Sequence, residues 1–335
     1  DYRCLAQEEV VAAGGLDMDA CLRVIADTLV LHHPGETVAP MKAVIHWSDD
    51  IDTDERLGRI MAMPAYVGGD TAMAGLKWIP SVPSNPGRGL PRGIGLILLS
   101  DPETGLPRAV MDGTVVSAMR TGAVSGLAAG ALARDGAGLL GLLGAGVQAR
   151  THLVALACVR SITRTRIACR NRDHAEQLVR EMRDKVKFPI EVVGSNEEAV
   201  RDADIVVTAT SAQEPVINRA WVADGAHING IGTHSPNSRE IDSETMAAAR
   251  IFTDRRESLL NEAGDYILAA QEGAITPESV VAEIGELVLG HKQGRRSADE
   301  ITLFKSLGLA IEDVVSAEYL FRKATTEDIG TWVDF

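Results

Sequence analysis

Gly144-Ala145-Gly146-Val147-Gln148-Ala149 follows the apolar run Leu139–Leu143 and opens a helical pattern. Glycine at the first and third positions and alanine at the sixth is a spacing suited to a dinucleotide pyrophosphate. Gly144 supplies a tight turn, Gly146 lacks the Cβ that would block close approach, and Ala149 lets helix and strand pack. Exposed N–H groups at the helix start then favour an anion. A plain glycine turn is the simpler alternative, and the strand before and helix after favour the dinucleotide. The next strand, Arg166 to Cys169, ends in Arg170-Asn171-Arg172, where an NAD-specific protein usually holds the ribose diol with an Asp or Glu. No acid occurs there before Asp173. Asn171 and Arg172 suit a 2′-phosphate, so NADP(H) is the preferred cofactor, with NAD(H) still compatible; a solvated arginine pair is the alternative. Thr208 and Thr210 end a later strand of the same series, on the side where strand C-termini face a ligand crevice.

Four basic side chains sit in apolar surroundings. Lys42 follows Pro40-Met41, Arg59 starts RIMAMPA, Lys77 lies inside AGLKWI, and Arg120 interrupts a helix that is otherwise apolar from Val115 to Leu127. Burying a cation is costly unless it is paired or bound to an anion. Converging beside a dinucleotide, such groups would clamp a substrate carboxylate, and a lysine of lowered pKa could move a proton at an imine or amine. For each alone, a snorkelling or salt-bridged surface cation is the alternative. Among candidate acids, Asp112 stays open, Asp204 reads as a strand-entry turn residue, and Glu283, Glu286 and Asp313 as solvated faces of amphipathic helices. The histidines show no paired ligand spacing and Cys4, Cys21, Cys158 and Cys169 no CxxC, so no metal site is expected. Neither a serine nucleophile elbow nor a Walker lysine occurs.

The elements that must position these residues change character along the chain. A helix is expected over Asp19 to Leu31, capped at Asp17, followed by short strands at Met41–Trp47, Arg59–Val67 and Ala72–Ile79. A hairpin is expected from Gly93–Leu99 and Pro107–Met111, so the first hundred residues read as antiparallel. From about Thr114, strands alternate with helices of ten to fifteen residues, the pattern of a doubly wound parallel sheet. The 335 residues exceed one ordinary core. With 33 Lys plus Arg against 47 Asp plus Glu the net charge is −14, which argues against a nucleic-acid partner. No membrane span is expected, and the scattered cysteines suggest a reducing, cytoplasmic setting.

The segments RIMAMPAYVGG, GLKWIPSVPSNPGRGLPRG, LSDPETGLPRAVMDGT, SAMRTGAVSGLAA, GAGVQAR, HINGIGTHSPNSREID and AEIGELVLGHKQGRRSADEITLFKSLGLAIEDVVSA resemble the ornithine cyclodeaminase and mu-crystallin family over essentially the whole chain. The resemblance implies a Rossmann-type doubly wound parallel sheet (residues 115–307) inserted into an antiparallel α+β substrate-binding and dimerisation domain (1–114 plus 308–335), and a homodimer. By position, Lys42, Lys77 and Arg120 match the site for the substrate carboxylate and amine. Thr121 and the turn from Gly144 through Gly146, Val147 and Gln148 match the pyrophosphate site, Asn171 with Arg172 the NADP-selecting pair, and Lys305 a residue near the nicotinamide. Two departures stand out. Where cyclodeaminases of the family carry an aspartate after HINAVGG, this chain has Thr233-His234-Ser235, and His234 is either an acid-base group or a loop residue. Arg59 lies one strand step from the arginine of the family's alanine dehydrogenases. The implied activity is NAD(P)H-dependent oxidoreduction at the C–N bond of a small α-amino or α-imino acid. The alternatives are ornithine cyclodeamination and a non-catalytic NADPH-binding protein.

Overall fold

A computed structural model of the chain describes residues 1–32, 35–48 and 57–334. Two compact units result, Asp1–Arg120 with Leu309–Phe335, and Thr121–Gly308.

The first unit is built on a mixed sheet in the order β16-β1-β7-β6-β5-β4-β2, with β3 added beside β4. Its strands are β1 (Tyr2–Leu5), β2 (Thr37–Val38), β3 (Ala43–Trp47), β4 (Gly58–Val67), β5 (Met73–Ser81), β6 (Leu96–Ser100), β7 (Pro107–Asp112) and β16 (Thr331–Val333). Helix α1 (Gln7–Val10) precedes α2 (Met18–His32), which begins where Asp17 Oδ1 accepts the Ala20 N–H at 2.9 Å. The antiparallel expectation holds from β2 to β7, but β1 pairs with β7 in parallel. Strand alternation gives the sheet two faces. On the inner one, Met63, Lys77, Ile97, Met111 and Leu5 lie opposite one another across five strands, and all are buried. Helix α11 (Ala310–Thr326) covers this face, packing on β4, β5 and β6 and against α2. A lysine in an otherwise apolar row therefore depends on α11 for its counter-charge.

The second unit is an all-parallel sheet in the order β10-β9-β8-β11-β12-β15-β13-β14. Its strands are β8 (Leu139–Leu143), β9 (Arg164–Ala168), β10 (Ile190–Val192), β11 (Ile205–Thr208), β12 (His227–Gly230), β13 (Arg250–Thr253), β14 (Val280–Glu283) and β15 (Thr302–Lys305). The helices between them are α4 (Val147–Val159), α5 (Arg172–Met182), α6 (Asn196–Val200), α7 (Ser243–Ala248), α8 (Arg256–Glu262), α9 (Gly264–Gln271) and α10 (Ile284–Val288). The central strands β8, β11, β12 and β15 are buried on both faces, as layers of helix on each side require. Strand β15 has no alternation for that reason and was not expected as a strand. Glu283, expected on a helix, instead ends β14.

Helix α3 (Gly113–Leu132) runs through the boundary between Arg120 and Thr121, so the division falls inside a helix rather than at the pattern switch near 114. It is long and apolar enough to cross a membrane by length and composition alone, but most of its surface is buried within the protein, as for a core helix.

Candidate functional site

Lys77 and Arg120 come together in the first unit. The Lys77 ammonium lies 2.7 Å from Asp313 Oδ2 and donates to Ser117 Oγ at 3.3 Å. Arg120 donates from Nε to Asp313 Oδ1 at 2.9 Å and from Nη1 to Glu312 Oε2 at 3.0 Å. Two cations thus meet two carboxylates in a space closed to solvent: Lys77, Glu312 and Asp313 are at most 1% exposed and Arg120 is 6% exposed. Burial and the adjacent Arg120 guanidinium lower the Lys77 pKa to about 8, against the pull of Asp313. An ammonium poised there can give up a proton near neutral pH, which suits it to general acid work. Beside the cluster, the Cys21 thiol is pushed up to about 12 by burial and by the nearby Glu312 charge, so it stays protonated.

Asp313 corrects the expectation from the sequence. It was read as a solvated helix face, whereas it and Glu312 are the buried counter-charges of Lys77 and Arg120. A cost argument applied to Lys77 applies equally to an acid pair inside LAIEDVVSA, and that was the signal available. Ser117, one helical turn before Arg120, was also missed. Lys42 is half-buried, one residue before β3, and Arg59 is half-buried on β4 opposite Ser81. Arg59 shares the inner face with Lys77 but lies four residues along the strand, about 13 Å away at ~3.3 Å per residue. The structure therefore gathers Lys77 and Arg120 but not Arg59. Asp112 accepts the Thr114 and Val115 N–H groups at the start of α3.

In the second unit, Gly144 and Gly146 join β8 to α4. Gly144 has φ +103°, and a Cβ there would stand 2.4 Å from the Ala209 carbonyl oxygen, so only glycine fits. A Cβ on Gly146 would meet nothing within 4 Å, so open space lies over the helix start. Val147 is exposed, Gln148 half-buried, and no acid occupies the first turn of α4. This cradle fits a dinucleotide pyrophosphate. Thr121 is buried on α3. Asn171 caps α5, its side chain accepting the Asp173 N–H at 2.9 Å, while the exposed Arg172 pairs with Glu176 at 3.0 Å. Asp204, read as a strand-entry residue, accepts the Gly138 and Leu139 N–H groups and pairs with Arg134.

Lys305 has no exposed surface, and its ammonium lies 2.7 Å from Asp265 Oδ2 and donates to the Thr233 carbonyl at 3.1 Å. Thr208 is likewise fully buried, and Thr208 and Thr210 both donate to Glu240. Through these contacts Lys305 and Thr208 brace the loops beyond β11 and β12. His234 is half-buried in the second of these loops.

Residues 5–328 match the ornithine cyclodeaminase/mu-crystallin family. A solved structure of Thermococcus litoralis Δ1-pyrroline-2-carboxylate reductase in complex with NADH and L-proline is 37% identical, covering 99% of this chain and all of that one, with a TM-score of 0.94. An alanine dehydrogenase of Archaeoglobus fulgidus is 36% identical over 332 residues, 99% of this chain and 98% of that protein. A Δ1-pyrroline-2-carboxylate reductase of Bacillus cereus is 34% identical over 300 residues, 89% of this chain and 90% of that protein. By the span of that match and the level of these identities, the chain belongs to the ornithine cyclodeaminase/mu-crystallin family.

Proposed function

We propose that the protein reduces the C=N bond of a small cyclic α-imino acid, with NADPH preferred and NADH accepted. It is an NAD(P)H-dependent oxidoreductase acting on the carbon–nitrogen bond of small α-amino or α-imino acids. The observation that carries the finer reading is the Lys77 ammonium, buried beside Arg120 with its pKa lowered to about 8. When bound at the glycine turn, the reduced nicotinamide supplies a hydride for the imine carbon. Lys77 Nζ gives the proton that the nitrogen needs, so that C=N becomes CH–NH, and Asp313 balances the charge at Nζ through each proton exchange. Arg120 and Lys42 provide the positive field for the substrate carboxylate, and Ser117 helps fix the Lys77 head. Residues 1–120 with 309–335, which hold Ser117 and Arg120, serve as the substrate part and 121–308 as the dinucleotide part. The exposed Arg172 and the lack of an acid before Asp173 support a 2′-phosphate.

The outer face of the first sheet supports a second copy of the chain as partner. Ala43, Ala62, Trp78 and Leu96 form one cross-strand row, with Ala43, Trp78 and Leu96 exposed and Leu98 and Tyr66 exposed nearby. Contiguous apolar surface of this kind marks an interface. A reducing cytoplasm is the expected setting, in keeping with four cysteines that form no disulfide.

Purified protein mixed with Δ1-pyrroline-2-carboxylate should consume NADPH. Lys77→Ala should abolish turnover while nucleotide binding persists, and unchanged turnover would overturn the role given to Lys77. Proline and ammonia formed from ornithine, with no net change in the nucleotide, would identify a cyclodeaminase instead.

A further inference from the structure

Glu240 has no exposed surface and takes no part in the chemistry above, yet its carboxylate is the acceptor of four hydrogen bonds. Oε1 receives the Thr210 N–H at 2.7 Å and Thr210 Oγ1 at 2.6 Å. Oε2 receives Thr208 Oγ1 at 2.9 Å and the Gly232 N–H at 2.7 Å. Thr208 and Thr210 belong to the end of β11 and its following loop, and Gly232 to the loop after β12. One side chain therefore ties the two loops together. Gly232 must be glycine for this to happen, since a Cβ there would lie 2.4 Å from Glu240 Oε1 and 2.2 Å from the Thr210 carbonyl oxygen.

The node is fixed from behind and touches the cofactor turn in front. Behind it, Asp265 Oδ1 accepts the Glu240 and Ile241 N–H groups at 2.7 and 2.9 Å, and Oδ2 accepts Thr233 Oγ1 at 2.8 Å beside the Lys305 ammonium. Burial alone would raise the Asp265 pKa, but Lys305 and these donors hold it below the usual range. In front, the glycine turn sits against Ala209 and Thr210: the space a Gly144 Cβ would fill is taken by the Ala209 carbonyl oxygen and, at 3.3 Å, Thr210 Cγ2.

The sheet order adds the geometric reason. Strands run 10-9-8 to one side and 11-12 to the other, so the order reverses between β8 and β11. A dinucleotide seated on the turn after β8 crosses at that point onto the carboxyl ends of β11 and β12. These are the two loops that Glu240 joins. We propose that Glu240 is a positioning residue for the dinucleotide, locking the loop after β11, against which the pyrophosphate turn packs, to the Thr233–His234 loop after β12. The proposal rests on the reading that the chain binds a nicotinamide dinucleotide. Glutamine at 240 would keep the shape but place an NH2 group against donors, leaving two of them unmet.

The test is direct binding of NADPH and NADH, followed by the fluorescence of the reduced nicotinamide, with steady-state kinetics alongside. Glu240→Gln should weaken binding of the better nucleotide by about tenfold or more, the scale of hydrogen bonds to a charged group. The KM for that nucleotide should rise while the KM for the imino acid stays within about twofold, a split that general loss of fold would not give. Thr208 has no exposed surface and donates to Glu240, so Thr208→Val should weaken nucleotide binding in the same direction and Thr208→Ser should restore it. This pair carries the test if Glu240→Gln fails to fold. Nucleotide binding by Glu240→Gln within about twofold of the parent protein overturns the role of Glu240 and leaves the assigned activity standing. A parent protein that binds neither nucleotide overturns both.

Discussion

The two units each bury an ionic cluster, and the clusters differ in what holds them. Around Lys77, the carboxylates of Asp313 and Glu312 are met chiefly by other side chains, the ammonium and the guanidinium, with the Leu309 N–H on Glu312 at 3.3 Å as a backbone donor. Around Lys305, Asp265 and Glu240 accept N–H groups from Thr210, Gly232, Glu240 and Ile241 of the main chain. A carboxylate nailed to peptide groups fixes a loop; the Asp265 carboxyl is held below its usual range, while burial raises that of Glu240. One balanced by side-chain cations can follow a proton as it leaves and returns. In the first unit the Lys77 ammonium is drawn down to about 8 by burial and by Arg120; in the second, the Lys305 ammonium lies 2.7 Å from Asp265 Oδ2. Two lysines of similar burial are thus held differently, Lys77 among side chains and Lys305 beside a carboxylate anchored to the main chain.

The largest effects should come from removing each lysine in turn. Lys77→Met should lower turnover by about 10²–10⁴-fold, the usual worth of a general acid, while the protein still binds nucleotide. Lys305→Met should do the reverse first, costing about 3–5 kcal/mol of stability because it leaves Asp265 buried without its cation. Urea unfolding and turnover measured on both variants would invert the contrast if Lys77→Met unfolded and Lys305→Met remained stable but inactive. Next in size is the pH dependence. Reduction needs Lys77 protonated, so its rate should be level below about 8 and fall as pH rises beyond it, about tenfold per unit. Asp313→Asn removes a group that favours the charged lysine, so that alkaline limb should move to lower pH. A limb that does not move would mean that another group titrates. Smallest is Arg172→Ala: the guanidinium is exposed and shared with Glu176, so only NADPH affinity should drop, by about three- to tenfold, with NADH unaffected. Equal loss for both nucleotides would remove Arg172 from cofactor selection.

What could be read from residues alone follows the same division. The glycine turn and its flanking strand and helix were legible because the constraint is local: a positive φ at Gly144 and an open approach at Gly146 demand glycine wherever they occur. The strands from Ala43 to Asp112 were legible because they are short apolar runs set off by glycine and acidic turns, even though both faces of the sheet carry apolar residues. Asp313, Glu312, Glu240 and Asp265 were not, because each is defined by a partner distant in the chain. Lys77 and Asp313 are 236 positions apart, and nothing local to either says that they meet. The rule that a cation in an apolar strand needs a counter-charge pointed to Lys77 but not to its partner. Short parallel strands such as Thr302–Lys305 were hidden for another reason, since burial on both faces erases the alternation by which strands are recognised.

The covering of the first sheet by α11 bears on how the chain is made. Every strand from β1 to β7 leaves the ribosome before the helix that covers their inner face, with nearly two hundred residues of the other unit in between. Until Glu312 and Asp313 arrive, Lys77 and Arg120 face a half-built core without these two counter-charges. The second unit, continuous from Thr121 to Gly308, has all its strands by then. Domains generally fold as units during synthesis, so the unit that begins first is the one completed last. Docking of that last helix then does two opposed things to Lys77, since it completes the burial that disfavours the charge and brings the carboxylates that favour it.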